Sequence, residues 1–140
     1  MNNIELYFGN LPEKFDSVLI LLSLGKSLVY VKNKKRAWEL TGGKKEKNES
    51  IEETAVREAY EEAGAIINKN SINNLGYYRL PDGHITIISQ AEVSEFHEIP
   101  SHSETIERKV TCSPISKENL SFKDNLYERI FQAIGWNMIK

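Results

Sequence analysis

Glu58, Glu61 and Glu62 have a spacing that can bring three carboxylates together. Residues three and four apart in a chain share one face of a helix. Like charges at these separations cost a helix roughly a few tenths of a kcal/mol per pair, and the helix dipole disfavours anions in the last turn. A solvated acidic face is the simpler interpretation, but it does not explain why the chain retains charges that destabilise the helix. Mg²⁺ prefers hard oxygen ligands, so the spacing favours a site for this cation.

A helix over residues 50–63 must position these carboxylates. Ser50 is a favourable N-cap, Glu53 completes a capping box, and Gly64 stands where a left-handed C-terminal stop belongs. Arg57 lies on the same helix, where it can pair with a glutamate and hold it in place. An apolar stripe rich in alanine follows the helical period and predicts close packing against a sheet: Ile51, Ala55, Val56, Ala59 and Ala63.

Strand patterns dominate the rest of the chain. Residues 18–22 form a continuous apolar run, as in a strand buried on both faces, and a hairpin to a second strand at 27–31 is predicted. The turn at 81–83 joins two later strands, and a last helix spans about 124–134, closed by Gly135. The remaining predicted strands lie near residues 66–67, 75–80, 85–93 and 104–112. This order predicts an α+β fold in which helices pack on a mixed sheet.

The stretch GKKEKNESIEETAVREAYEEAGA, from Gly43 to Ala65, resembles the Nudix box. That family pattern is G-x5-E-x7-R-E-U-x-E-E-x-G-U, where U is a bulky aliphatic residue. A chance match is on the order of one in 10^5 or rarer when residue usage is treated as independent. All seven fixed positions are matched: Gly43, Glu49, Arg57, Glu58, Glu61, Glu62 and Gly64.

The resemblance implies the Nudix fold, an α/β/α sandwich whose mixed sheet is flanked by helices, with the box forming a loop-helix-loop. It also implies metal-dependent hydrolysis of a pyrophosphate bond in a nucleoside diphosphate-linked substrate, with Mg²⁺ as the cofactor and Mn²⁺ as the alternative. Glu58 and Glu62 match the metal ligands, and Glu61 matches a further or water-bridged ligand. Glu58 or a later glutamate is the expected general base.

Other box positions are expected to support these ligands. By the resemblance, Glu49 and Arg57 steady the loop and the catalytic carboxylates, and the backbone of Gly43 approaches the metal closely because glycine has no side chain. Ala59 and Ala65 stand where the family prefers larger aliphatic residues. Altered packing, with the chemistry retained, is the expected consequence.

The segment before the box carries two further features. Residues 38–43, WELTGG, resemble the family's W-x-x-P-G-G lead-in, and Thr41 in place of Pro is expected to loosen a loop there. A basic run precedes it, for which a solvated loop is favoured over a phosphate-facing one: Lys32, Lys34, Lys35 and Arg36.

Residues beyond the box are candidates for the rest of the site. Many Nudix proteins use one more carboxylate, and Glu104 or Glu107 could supply it, with an exposed strand-end charge as the equal alternative. Substrate contacts are expected from Trp38, which could stack on a base or lie at the core rim, and from Tyr78, which faces away from Tyr77. Asp82, Glu92 and Glu95 are weaker candidates for the additional carboxylate. Asn125 could bind a base edge, although capping of the final helix is favoured.

Composition limits the class of protein. The chain has 140 residues, enough for one domain over 1–140, and 40% of them are hydrophobic. A net charge of −2 argues against a stable nucleic-acid complex. The apolar run from Val18 to Leu24 is too short to span a membrane, and the start at Met1 lacks a signal peptide. Cys112 is the single cysteine, expected to be buried in a strand and inert, which fits a cytoplasmic protein.

Several substrates agree with these features. The short chain is similar to MutT-type Nudix members, which implies a nucleoside triphosphate, in ordinary or oxidised form, cleaved to a monophosphate and pyrophosphate by a monomer or homodimer. Nucleotide sugars, dinucleoside polyphosphates and RNA 5′ ends are the alternatives within the family. A non-catalytic nucleotide-binding regulator is the rival from another class, but such a protein is expected to lose box carboxylates, and all are kept.

Overall fold

The computed structural model describes residues 4–135, so part of the chain start on which the signal-peptide expectation rests lies outside the described residues. Within that range the chain forms eight strands, two α-helices and two short 3₁₀ turns. The strands are β1 Glu5–Phe8, β2 Ser17–Leu24, β3 Ser27–Asn33, β4 Trp38–Lys44, β5 Ala65–Ile67, β6 Asn73–Arg79, β7 Ile85–Phe96 and β8 Thr105–Thr111. The helices are α1 Ile51–Ala63 and α2 Leu126–Ile134.

The strands build one mixed sheet, as expected. Its order is β1-β6-β7-β2-β4-β3-β8, with β5 added on β7. Strands β2 and β7 run parallel, and the other pairs are antiparallel. The turn at residues 81–83 joins β6 to β7 as predicted.

Two cores lie on opposite faces of the sheet, because successive strand residues point to opposite sides. In β2, Val18, Ile20 and Leu22 join the core beneath α1, while Leu19 and Leu21 join the core beneath α2. The apolar run in β2 is therefore buried on both faces, as its composition predicts. Ala59 and Ala65 lie fully buried in the α1 core. Helices on both faces of a mixed sheet confirm the predicted sandwich.

The β2–β3 hairpin is closed only at its tip. Two residue pairs, Ser23 with Leu28 and Leu24 with Ser27, join the strands there. Further along, β4 enters the gap and pairs with β3 through residues 38–40 and with β2 through residues 41–44. Thr41 is a fully buried strand residue. The expectation that it loosens a loop is therefore wrong, because this lead-in is a strand near the middle of the sheet.

Helix α1 begins and ends as its sequence predicts. The Ser50 side chain accepts a hydrogen bond from the Glu53 N–H, the Glu53 carboxylate accepts one from the Ser50 N–H, and Gly64 ends the helix at φ 64°. Its last turn contains no basic residue. A cation comes instead from β8, where the Arg108 guanidinium donates to the Ala63 carbonyl at 2.8 Å. This contact offsets part of the cost of anions at a helix C-terminus.

Two local predictions are corrected by the structure. Cys112 is exposed, because β8 ends at Thr111 and the cysteine follows it, so a buried thiol is wrong. Asn125 occupies the N-cap position of α2 at φ 63°, but its side chain makes no capping hydrogen bond. Oδ1 of Asp124 accepts the Leu126 N–H instead, at 3.1 Å. Within residues 4–135, no helix is both long and apolar enough to cross a membrane.

Candidate active site

Arg57 is the centre of the carboxylate cluster on α1. Its Nε and Nη2 donate to the two oxygens of Glu49 at 2.7 and 2.9 Å, the fork geometry that suits a carboxylate. Its Nη1 donates to Glu58 at 2.9 Å and to Glu61 at 3.1 Å. Nη2 also donates to the Lys44 carbonyl at the end of β4, 2.9 Å away. Arg57 thus connects Glu49, Glu58 and Glu61 to one another and to the end of β4.

The glycines of β4 let its backbone approach the glutamates. A Cβ atom on Gly43 would overlap the Glu58 carboxylate, so no larger residue fits without a shift. The N–H of Gly42 donates to Oε1 of Glu62 at 3.1 Å. The backbone of β4 and helix α1 therefore meet at the carboxylates of Glu58 and Glu62.

The three central carboxyl groups differ in proton affinity. Burial raises the pKa of Glu58 to about 7, against the opposing effect of Arg57, and burial raises the pKa of Glu62 to about 8. The hydrogen bond from Arg57 lowers the pKa of Glu49 to about 2. Glu58 and Glu62 are therefore desolvated acids that would gain from a further nearby cation, whereas Glu49 receives two hydrogen bonds from Arg57.

The glutamates suit a divalent cation, although they do not surround one beforehand. Within residues 4–135, no group of three His, Cys, Asp or Glu side chains is arranged to hold a metal ion. Arg57 engages one oxygen of Glu58 and one of Glu61. Oε1 of Glu58 and Oε2 of Glu62 accept no hydrogen bond from the described residues. These two oxygens are hard ligands available to a metal.

A cleft of about 920 Å³ contains this cluster. Its acidic lining residues are Glu39, Glu46, Glu58, Glu61, Glu62, Glu104 and Asp124. Its apolar and aromatic lining residues are Ile4, Val18, Leu19, Leu40, Tyr78, Leu80, Phe122, Leu126 and Tyr127. Most of the second group belong to or pack against the core beneath α2. The cleft thus combines a charged region with an apolar one, at the upper end of the size of small-molecule sites.

Only one of the three predicted substrate-binding residues lines this cleft. Tyr78 lines it, while Tyr77 packs towards the α1 core, in agreement with their expected opposite directions. Trp38 is outside the lining and packs against the α2 core, so the core-rim interpretation is the correct one. Asn125 is exposed and also outside the lining. A base contact from Trp38 or Asn125 therefore has no support in the geometry.

The candidates for an additional carboxylate are separated in the same way. Glu104 lines the cleft, whereas Glu107 on β8 is exposed and outside it. Glu39, for which no role was predicted, lines the cleft as well, with only 7% of its surface exposed. The sequence signal for its burial was the position of Glu39 between two apolar neighbours, Trp38 and Leu40, in a strand pattern. Of the basic run, Arg36 lines the cleft and Lys32, Lys34 and Lys35 do not.

Stability of the metal-free protein is expected to fall as pH rises from about 5 to 8. Glu58 and Glu62 have raised pKa values, so the folded state binds more protons than the unfolded state between about 4.5 and 8. Deprotonation then costs the folded state free energy, and we expect the melting temperature to drop by about 5 °C or more. Added Mg²⁺ should restore more at pH 8 than at pH 5.5, as scanning calorimetry would show.

Glu49 should make stability change with pH in the opposite direction, which provides an internal check. Its lowered pKa stabilises the fold above about pH 4.5, and this contribution is lost as pH falls towards 2. The double variant Glu58→Gln, Glu62→Gln removes the two raised groups and should flatten the curve between pH 5 and 8. A melting temperature that rises over that range in the unmodified protein would contradict the assigned burial.

Comparisons with known proteins agree with this arrangement. The family model described as the NUDIX domain matches residues 14–122. YtkD of Bacillus subtilis (strain 168), provisionally named an 8-oxo-dGTP diphosphatase, is 26% identical over 110 residues, covering 77% of this chain and 68% of that protein.

Solved structures share the fold. The pyrophosphohydrolase BsRppH of Bacillus subtilis, solved as a point mutant, aligns with a TM-score of 0.84 at 23% identity, over 96% of this chain and 90% of that one. A bifunctional NMN adenylyltransferase/ADP ribose pyrophosphatase of Francisella tularensis, solved with AMP and a Mn ion, aligns with a TM-score of 0.61 at 17% identity, over 87% of this chain and 41% of that one. The match over most of the chain, together with the intact box, places this protein in the Nudix family as a pyrophosphohydrolase acting on acid anhydrides.

Proposed function

We propose that this protein hydrolyses nucleoside triphosphates to a nucleoside monophosphate and pyrophosphate, with Mg²⁺ as the cofactor. The observation that carries the proposal is the continuity of the cleft, in which the open oxygens of Glu58 and Glu62 share one space with aromatic side chains. A nucleotide has the same two parts, a polyanion that needs cations and a base that stacks on rings. The similarity to YtkD supports an oxidised purine nucleotide as one substrate to test.

Glu58 and Glu62 are proposed to hold the metal, with the Gly43 backbone beside them. Their carboxylate oxygens favour a hard cation such as Mg²⁺, and Mn²⁺ can take the same ligands. A bound divalent ion supplies positive charge to the phosphoanhydride oxygens and acidifies a water molecule. Arg57 keeps the ligands in position, because it connects Glu58 both to Glu49 and to the Lys44 carbonyl.

Glu61 is proposed to accept the proton of the attacking water. Its side chain is 41% exposed, and Arg57 fixes one of its oxygens at 3.1 Å. A half-exposed carboxylate held by a cation can point its second oxygen at solvent without first being desolvated. Glu104, which also lines the cleft, is the proposed carboxylate from beyond the box.

Tyr78 is proposed to contact the base of the substrate. It lines the cleft among Leu19, Leu40 and Tyr127, and burial raises the pKa of its hydroxyl, so the ring is neutral there as it is in water. Neutral aromatic rings stack on any nucleotide base, because every base has a flat π-face. The same surface gives little discrimination between bases, so several nucleotides are expected to be accepted.

A nucleotide panel tests the proposed function. Ordinary nucleoside triphosphates, 8-oxo-dGTP, ADP-ribose, a nucleotide sugar and a dinucleoside polyphosphate are incubated with the protein and Mg²⁺ or Mn²⁺. Products are separated by anion-exchange chromatography, with inorganic phosphate measured before and after added pyrophosphatase. We expect monophosphate and pyrophosphate in equal amounts from a triphosphate, and no turnover with a chelator present.

Other product patterns would contradict the proposal. If ADP-ribose or the nucleotide sugar were turned over fastest, the protein would belong to a Nudix class with a different substrate. Diphosphate and free phosphate from a triphosphate would mean that the outer anhydride bond is cleaved. Binding of nucleotides without any turnover would favour the non-catalytic regulator.

A further inference from the structure

Arg36 is the one member of the basic run that lines the cleft. It lies in the connection between β3 and β4, within the same cavity as Glu58 and Glu62. Half of its side-chain surface is exposed, so its guanidinium is accessible from the cleft. Its neighbours Lys34 and Lys35 are exposed but outside the lining.

Two groups hold the Arg36 guanidinium in place. Its Nε donates to Oε2 of Glu39 at 2.7 Å, and the Glu39 side chain is only 10% exposed. The ring of Phe122, from the segment before α2, lies 5.6 Å from the guanidinium carbon, within cation–π range. Two hydrogen bonds join these segments, since the Ala37 N–H donates to Ser121 Oγ at 2.9 Å and the Ser121 N–H donates to the Trp38 carbonyl at 2.9 Å. The cation is therefore oriented before any substrate enters.

The terminal nitrogens of Arg36 have no partner in this arrangement. Among residues 4–135, only its Nε donates a hydrogen bond. Arg57 differs, because Glu49, Glu58, Glu61 and the Lys44 carbonyl occupy all three of its nitrogens. Arg57 therefore has no edge to offer a ligand, while Arg36 presents two N–H-bearing nitrogens side by side. That edge matches two oxygens of one phosphate group.

We propose that Arg36 binds a phosphate group of the substrate through its terminal nitrogens, and that Glu39 and Phe122 are positioning residues that aim it. The inference rests on the proposed function in that the ligand is a polyphosphate. A fixed guanidinium beside the anhydride stabilises charge that develops on the phosphate oxygens as the bond breaks. It also places a positive group in a cleft whose lining contains six glutamates.

A counter-ion role is the competing explanation for Arg36. Glu39 is buried beside it, and the carboxylates of Glu62 and Glu104 act on it electrostatically. In that case Arg36 would stabilise the fold and leave phosphate affinity unchanged. Contact with the base is a third possibility, which would make its effect depend on the nucleotide. Binding measurements on ligands with and without a base separate all three.

The test measures binding rather than turnover. Inorganic tripolyphosphate and α,β-methylene analogues of ATP, GTP and CTP are titrated by calorimetry, in Mg²⁺, into the unmodified protein and its variants. We expect Arg36→Ala to weaken all four ligands alike, by about 10- to 100-fold, as for a lost charged hydrogen bond. Arg36→Lys keeps the charge beside Glu39 but loses the planar edge. Its affinity for the ligands should lie between those of the unmodified protein and Arg36→Ala. Lys35→Ala, which removes an exposed charge on the same loop, should change affinity by less than about twofold.

Each outcome decides for or against the inference. Unchanged affinity in both Arg36 variants, with melting temperatures showing folded protein, leaves only the counter-ion role. A loss confined to the nucleotide analogues assigns Arg36 to the base, and failure of the unmodified protein to bind tripolyphosphate also overturns the inference. Arg36-dependent binding in a protein that cleaves none of the panel nucleotides supports the inference while contradicting the proposed function.

Discussion

Replacing Glu58 or Glu62 by Gln is expected to lower kcat by at least about 100-fold in saturating Mg²⁺, because each change removes several kcal/mol of charge stabilisation from the proposed metal site. The folded protein should tolerate both changes. Burial raises the pKa of each group, so a neutral amide removes a desolvated charge and should leave the metal-free protein at least as stable at pH 8. Initial rates on the best panel nucleotide and melting temperatures measure the two effects separately.

Glu107→Gln is the matched control for these variants. It makes the same chemical change at an exposed residue outside the cleft, and should alter kcat by less than about twofold. Isothermal titration with Mg²⁺ and a non-hydrolysable analogue should show metal binding in the control and its loss in the other two. If Glu58→Gln and Glu62→Gln both kept full turnover, the proposed ligands would be wrong.

Arg57→Ala is expected to lower the free energy of unfolding by about 3 kcal/mol near pH 7, because it leaves the largely buried carboxylates of Glu49 and Glu58 without their cation. Glu49 loses two hydrogen bonds to the guanidinium, and Glu58 and Glu61 lose one each. Urea unfolding of the metal-free protein measures the change. Activity should fall as well, since the ligands would no longer be connected to the end of β4.

Two further variants show whether the geometry of Arg57 matters. Arg57→Lys keeps one charge but cannot reach Glu49, Glu58 and Lys44 together, so about half of the stability loss is expected to remain. Lys69→Ala removes a cation paired with Glu53 at 4.0 Å on the exposed side of α1 and should cost less than about 1 kcal/mol. Equal losses for Arg57→Ala and Lys69→Ala would mean that the carboxylate cluster contributes nothing beyond an ordinary surface pair.

Helix α1 was predictable because its signals are local. Ser50, Glu53 and Gly64 determine its two ends through contacts within a few residues, and the structure places each of them as expected. The spacing of Glu58, Glu61 and Glu62 also followed from helical geometry alone. Six of the eight strands among the described residues were predicted within a few residues from apolar runs and turn residues, whereas β1 and β4 were not predicted.

Contacts between distant segments were not predictable in this way. Arg108 lies 45 residues along the chain from the Ala63 carbonyl that it binds, and no local sequence pattern near either residue predicts this contact. The burial of Glu39 depends on how β4 enters between two strands, which residue types alone do not reveal. Asn125 shows the same limit at shorter range, because both it and Asp124 are good capping residues and only the backbone conformation decides between them.

The entry of β4 into the open end of the β2–β3 hairpin couples the site to the whole sheet. One part of β4 is bonded to β3 and the other to β2, so the Gly42–Gly43 backbone cannot fray away while its neighbours stay intact. Catalysis should consequently survive moderate heating almost unchanged and then vanish in the same cooperative step that melts the molecule, with no inactive but folded species in between.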